Sequence, residues 1–146
     1  AQACLFMALG PVAGLKLTVA SAAASLGAMT LLALAMTGLG FYIAWRMEST
    51  QGFHAIMNLL LMPLLVLSGA FFPPSGSSRW LAMLMSANPV TYGVTLLRFA
   101  FYSGGVPSAF GGASLMVSFG VTTAFACIML WLCIRAVARG SHRALQ

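Results

Sequence analysis

The chain has 146 residues, of which 61% are hydrophobic and only 5% charged, and its formal net charge is +6. So few polar residues cannot cover a water-soluble globule, which excludes a soluble domain and predicts an all-α integral membrane protein. A single acidic residue excludes catalysis by paired carboxylates. The basic residues lie at the ends of apolar runs, where they anchor a span to lipid head groups, so we expect no binding of nucleic acid.

The first sixteen residues (1–16) are interpreted as the end of a preceding span and its loop, because a short apolar run stops at Gly10-Pro11. The chain begins at Ala1 without a basic leader region, so we expect a fragment of a longer protein. The next apolar run, 17–45, is long enough for a helix to cross about 30 Å of hydrocarbon and is the first predicted transmembrane helix.

This first span is rich in small residues at four-residue spacing. The pairs are Ser21 and Ser25, Ala20 and Ala24, and Ala24 and Ala28. In lipid, such spacing allows two helix backbones to approach closely, which predicts a span packed against protein. The alternative is the ordinary abundance of alanine and glycine in membrane helices.

A short polar loop, 46–52, follows an interfacial aromatic pair, Tyr42 and Trp45. It carries the acidic residue Glu48, which has three open roles: an ion pair with Arg46, contact with a soluble partner, or simple solvation. Glu48 and Gln51 are the candidate residues for a cytoplasmic contact.

The second predicted span, 53–72, has Pro63 near its centre. Proline removes one backbone donor and crowds the carbonyl of Leu59, so we expect a kink or a local opening there. Ser68-Gly69 interrupts the apolar run, and Pro73-Pro74 cannot continue a helix. The outer end of this span therefore needs neighbouring structure.

Residues 79–102 are predicted to form two short helices separated at Asn88-Pro89. Asparagine is a good N-cap and proline suits the first helical position, so a new helix starts there. Two short helices with a stop between them are typical of a re-entrant or interfacial hairpin rather than a span. Arg98 in this hairpin either snorkels to head groups, which we favour, or lines a polar cavity.

After a loop rich in glycine and serine, 115–134 is the third predicted span, and 135–146 is a tail with three arginines. The positive-inside rule places that tail in the cytoplasm. Three crossings then put the loop 46–52 inside and the hairpin outside, in a multi-pass protein of the plasma membrane.

The sequence lacks the residue patterns of an enzyme or of a metal site. It has no glycine-rich nucleotide loop, its two histidines have no ligand partner at suitable spacing, and Ser68 lacks a nucleophile elbow. The cysteines, Cys4, Cys127 and Cys133, are interpreted as small apolar fillers. We therefore expect no catalytic residue, no metal and no cofactor bound by this chain.

Residues 58–105 resemble the C-terminal signature region of ABC-2-type transporter permeases. A span ends in Pro-x-x-x-x-Ser-Gly-x-x-Phe-Pro, a short segment with Trp follows, and Asn-Pro-x-Thr-Tyr and an Arg precede the final span. The residues at these signature positions are Pro63, Ser68, Gly69, Phe72, Pro73, Trp80, Asn88, Pro89, Thr91, Tyr92 and Arg98. The form of the signature is most similar to the nodulation-factor and multidrug exporter branch.

The resemblance implies the C-terminal half of a six-helix permease, with two short extracellular helices before the last span. It also implies pairing with a second copy or a homologue and with cytoplasmic ATPase subunits that bind ATP and Mg²⁺. The implied function is export of a drug, a lipid or a lipid-linked saccharide. The alternative is a membrane anchor or assembly protein without transport activity.

Overall fold

The computed structural model describes residues 18–71, 77–102 and 113–143, with side chains described up to residue 139 in the last range. Regular structure in these ranges is helical. The helices are α1 Val19–Ala44, α2 Thr50–Val66, α3 Arg79–Ala87, α4 Pro89–Phe101 and α5 Leu115–Arg143. The predicted remnant of a preceding span, Phe72, Pro73 and most of the predicted loop before α5 lie outside the described residues.

Two of the described helices are long and apolar enough to cross a membrane: α1 with 26 residues and the 25-residue part of α5 that ends at Arg139. Helix α2 is apolar but has only 17 residues. It begins at Thr50 and ends at Val66, so it differs from the predicted segment 53–72 at both ends. The C-terminal helix continues to Arg143 and includes most of what the sequence predicted as a tail.

Local side chains explain where the first two helices begin. Thr18 and Ser21 form a reciprocal capping box in which the amide of each residue donates to the hydroxyl of the other, at 2.9 and 3.2 Å. At the start of α2, the hydroxyl of Ser49 accepts from the amide of Gly52 at 3.3 Å. This cap starts α2 three residues before the predicted span.

Small residues form the buried side of α1, which packs against α4 and α5. The buried residues are Ser21, Ser25, Ala28, Ala35 and Gly38. This pattern supports the packing interpretation for the Ser21 and Ser25 pair, whereas Ala20 and Ala24 are exposed. At Gly38, an added Cβ would lie 2.9 Å from the Cβ of Met129 on α5, so the two helices pack closely there.

Helices α1, α4 and α5 form the packed core of the described structure. Two of its buried hydroxyls bond within their own helices, Ser25 to the Ser21 carbonyl and Thr122 to the Ser118 carbonyl, both at 2.7 Å. The buried hydroxyls of Ser118 and Thr123 have no hydrogen-bond partner among the described residues. Between the three helices lies an apolar cavity of about 440 Å³. Residues 24–31 of α1 and 115–119 of α5 line this cavity together, while Gly38 lies beside Met129, so α1 and α5 run in the same direction.

Helix α2 is different, because none of its residues is buried and it makes few contacts with α1. Its attachment to the rest of the described structure is concentrated in polar contacts at its C-terminal end.

Candidate functional site

The C-terminal end of α2 leaves backbone carbonyls without helical partners, as every helix end does. Here the amide and the hydroxyl of Ser68 both donate to the carbonyl of Leu65, at 3.2 and 2.6 Å. The amide of Ser68 would be the regular partner of the Leu64 carbonyl, so that carbonyl needs another donor. Leu67 and Gly69 present two further carbonyls at this end.

Ser68 and Gly69 together terminate the helix. The hydroxyl of Ser68, which is fully buried, also accepts from the amide of Ala70 at 3.3 Å. Gly69 adopts a φ of 78°, in the left-handed region that costs other residues roughly 1–2 kcal/mol. The Ser-Gly pair of the signature thus has a local structural role at the end of α2.

Three side chains from the α3–α4 segment lie within hydrogen-bond distance of carbonyls at this end of α2, and we call them the α2 clamp. Asn88 donates from Nδ2 to the carbonyl of Leu64 at 2.7 Å. The hydroxyl of Thr91 lies 3.2 Å from the carbonyl of Leu67, and the guanidinium of Arg98 donates to the carbonyl of Gly69. The clamp therefore joins segments that are 24 to 29 residues apart in the sequence.

The same signature residues also organise the connection between α3 and α4. The Oδ1 atom of Asn88 accepts from the amide of Val90 at 3.0 Å, which caps α4, and Pro89 occupies the first turn. The hydroxyl of Thr91 lies 2.7 Å from the carbonyl of Met85, the shorter of its two contacts. One short motif therefore ends α3, starts α4 and holds α2.

Tyr92 completes this connection, since its hydroxyl donates to the carbonyl of Ser86 at 2.8 Å. That carbonyl belongs to the last turn of α3 and has no helical partner of its own. The aromatic residue of the motif therefore caps the same helix end as Thr91.

The snorkelling that we favoured for Arg98 is not what the structure shows. The side chain turns toward Gly69 and donates to its backbone carbonyl. A cation is favourable at the C-terminal end of a helix, where the unpaired carbonyls carry partial negative charge. The guanidinium therefore binds a backbone carbonyl of the protein, which is a third role beside the two that the sequence left open.

A groove of about 310 Å³ lies beside the clamp, between α2 and the α3–α4 junction. Its lining residues are Leu59, Leu60, Pro63, Leu64, Leu67, Leu84, Ala87, Asn88 and Pro89. Helix α2 continues through Pro63 without ending. The kink expected at this proline remains a prediction.

The clamp residues share one helical face, because Asn88, Thr91 and Arg98 follow the i, i+3, i+10 spacing of a single stripe. Thr95 extends the stripe and is buried. This periodicity was the signal in the sequence that could have grouped them. Trp80, another signature residue, is instead 65% exposed on α3.

The candidate cytoplasmic contacts Glu48 and Gln51 are both exposed in the loop and first turn before the body of α2. The guanidinium of Arg46 lies over the ring of Tyr42, 4.6 Å from its centroid. Within residues 18–71, 77–102 and 113–139 no ion pair involves Glu48, so the pairing with Arg46, one of the three roles left open for Glu48, is not formed. The role of Glu48 and Gln51 in partner binding remains a prediction.

The described residues contain no group of three or more histidine, cysteine or acidic residues that could hold a metal ion. Cys127 is exposed, and the thiol of Cys133 donates to the carbonyl of Gly38 at 3.2 Å, so Cys133 links α5 to α1. The clamp has a structural role: it attaches the C-terminal end of α2 to the α3–α4 segment, and α4 packs on α1 and α5.

The two long apolar helices, α1 and α5, are consistent with a membrane protein. The family model described as ABC-2 type transporter matches residues 1–102, and the chain therefore belongs to the ABC-2 type transporter family. All the signature residues from Pro63 to Arg98 lie inside the matched region. No curated protein and no solved structure gives a significant match.

Family membership makes this chain a membrane component of an ABC transporter, and it implies association with an ATP-binding partner. Members are generally non-catalytic membrane components. The assignment agrees with the helical structure and with the two spanning-length helices.

Proposed function

We propose that the chain is part of the permease subunit of an ATP-driven exporter, where it forms part of the pathway for a drug, a lipid or a lipid-linked saccharide. ATP and Mg²⁺ bind to separate cytoplasmic ATPase subunits, and the permease pairs with a second copy or a homologue. The observation that carries the proposal is the family match over residues 1–102, which contains the whole clamp. The form of the signature favours the nodulation-factor and multidrug exporter branch.

In the proposed topology α1, α2 and α5 cross the plasma membrane, α3 and α4 lie on the outer side, and the C-terminus is cytoplasmic. A 17-residue helix is about 26 Å long, slightly less than the roughly 30 Å of a typical hydrocarbon core. The turn at 67–70 and the clamp continue the segment to the outer surface, so the backbone that leaves the helix is shielded by protein.

The proposed mechanism uses the contrast between the packed core and the loosely packed α2. Helix α4 packs on α1 and α5, whereas α2 is held mainly by the clamp. A displacement of the cytoplasmic end of α2, near Glu48 and Gln51, is transmitted along the helix to the clamp and then to α3 and α4. Nucleotide binding on the partner subunit would thereby change the packing at the outer exit, as a two-state transition.

Partner binding is the first test of this proposal. Full-length protein is expected to co-purify with an ABC ATPase subunit and to stimulate its ATP hydrolysis in proteoliposomes, because the permease and ATPase cycles are coupled. A membrane anchor without transport activity would recruit no ATPase and move no solute. That result would refute the exporter proposal.

Topology is tested with single cysteines at two exposed charged positions, after the native cysteines are replaced by alanine. Arg79→Cys at the start of α3 is expected to react with a membrane-impermeant maleimide added to intact cells. Glu48→Cys is the matched control and should react only after permeabilisation. Labelling of Arg79→Cys only in permeabilised cells would place the helical pair inside and contradict the proposed topology.

A further inference from the structure

Two arginines each lie over an aromatic ring four residues earlier in their own segment. The guanidinium of Arg46 is 4.6 Å from the ring centroid of Tyr42, and that of Arg135 is 4.4 Å from the ring centroid of Trp131. Stacking occupies the flat face of a guanidinium and leaves its in-plane N–H donors directed outward. Both side chains are exposed, so these donors are available to an acceptor outside the chain.

These two arginines and a third, Arg139, lie toward the same end of the parallel helices α1 and α5. Gly38 lies against Met129, which sets the register of the two helices. Arg46 comes eight residues after Gly38, and Arg135 and Arg139 come six and ten residues after Met129. At 1.5 Å per residue, Arg135 and Arg139 lie about 9 and 15 Å beyond Met129. Helix α1 ends at Ala44, about 9 Å beyond Gly38, and Arg46 follows in the turn, so the three arginines lie toward the same end. We call these three residues the arginine rim.

The surroundings of the rim combine positive charge with exposed aromatic surface. Trp45 and Trp131 are 49% and 52% exposed at this level. Exposed indole rings beside arginines are typical of the boundary between hydrocarbon and head groups. The chain has a single acidic residue, Glu48, and in the ranges that the structure describes it forms no ion pair with the rim.

We propose that the arginine rim is a binding site for anionic phospholipids, with the phosphodiester as the recognised group. The planar donor fork of arginine matches phosphate oxygens in a bidentate manner, and the aromatic rings under Arg46 and Arg135 hold these two forks in a fixed orientation. The exposed indoles suit the adjoining acyl chains, which favours a lipid over an acidic protein surface. This inference is independent of the transported cargo and of which leaflet contains the rim.

The proposal is tested by native mass spectrometry of the full-length protein in mixed micelles containing phosphatidylglycerol and phosphatidylcholine. We expect tighter binding of phosphatidylglycerol, and Arg135→Gln should weaken it about fivefold, as expected for loss of one basic residue near an anionic surface. Arg135→Lys should lose less, because it keeps the charge without the fork. Arg79→Gln removes the same charge on α3, outside the rim, and should change nothing.

Several outcomes would overturn this proposal. Equal binding of the two lipids, or an equal effect of Arg79→Gln and Arg135→Gln, would mean that the rim recognises no lipid. Displacement of phosphatidylglycerol by inorganic phosphate would indicate a site for free anions. Displacement by a bound ATPase subunit would indicate a protein-docking surface. A normal gel-filtration profile of each variant shows that the changes do not come from misfolding.

Discussion

Replacing Asn88 with alanine is expected to destabilise the full-length protein by about 2–4 kcal/mol. Asn88 is 5% exposed and serves two helices, donating to the carbonyl of Leu64 and accepting from the amide of Val90. Alanine leaves the part-buried Leu64 carbonyl without its donor, and an acceptor that loses its partner costs about 1–3 kcal/mol. Loss of the N-cap of α4 adds about 1 kcal/mol. Reversible unfolding in mixed detergent micelles measures the sum.

Two further variants separate the contributions at this position. Asn88→Ser keeps an N-cap acceptor but is too short to reach Leu64 as well, so it should recover only the capping part, about 1 kcal/mol. Ser86→Ala is the control, because this exposed hydroxyl bonds only within α3 and its loss should change stability by less than about 0.5 kcal/mol. An Asn88→Ala protein as stable as Ser86→Ala would mean that the clamp does not hold α2.

The same substitution is informative about coupling. If α2 drives the outer helices through the clamp, Asn88→Ala should reduce solute export more than it reduces binding of the ATPase subunit, since the cytoplasmic loop is unchanged. A parallel loss of both would indicate general destabilisation. The proposed mechanism therefore predicts that Asn88→Ala loses more solute export than ATPase binding.

Local chemistry made the breaks between helices predictable from the sequence. The Asn88-Pro89 break and the interruption at Ser68-Gly69 both depend on residues within a few positions of each other, and the structure has helix ends at both places. The exact end of α2 at Val66 was harder to predict, because apolar residues resume after Ser68-Gly69 and hydrophobicity alone cannot distinguish a helix from the turn that follows it.

Long-range partners were not predictable in this way. Nothing near Arg98 in the sequence indicates that its target is the carbonyl of Gly69, because the two come together only when α4 lies beside the end of α2. Arginine is long enough to reach lipid head groups, a cavity or a backbone carbonyl. The choice among these depends on the position of a segment 29 residues away.

The sequence also does not show which glycine of α1 contacts another helix. Gly27, Gly38 and Gly40 are equally plausible contact points in a span rich in small residues. A Cβ would meet nothing within 4 Å at Gly27 and only the end of a flexible methionine, at 3.5 Å, at Gly40. At Gly38 it would meet the Cβ of Met129 at 2.9 Å. Only the register of α1 against α5 distinguishes them.

Gly38→Ala is therefore expected to destabilise the protein by about 1–3 kcal/mol, the usual cost of overpacking a close contact. The colliding Cβ atoms are fixed to the two backbones, so side-chain rotation cannot relieve the overlap and α1 must move away from α5. The movement would stretch the 3.2 Å bond between the Cys133 thiol and the Gly38 carbonyl. With Cys133 kept as the only cysteine, after Cys4, Cys127 and any others of the full-length protein are replaced by alanine, Cys133 should then react faster with a thiol reagent.

Gly27→Ala is the matched control, because it adds the same methyl group to the same helix where space is open. It should be neutral or stabilising by up to about 1 kcal/mol through helix propensity, and it should leave the reactivity of Cys133 unchanged. The difference between the two alanine variants cancels the propensity term and isolates the contact with Met129. Equal stability and equal Cys133 reactivity in both variants would mean that α1 and α5 do not pack at Gly38. The parallel register on which the arginine rim depends would then be lost as well.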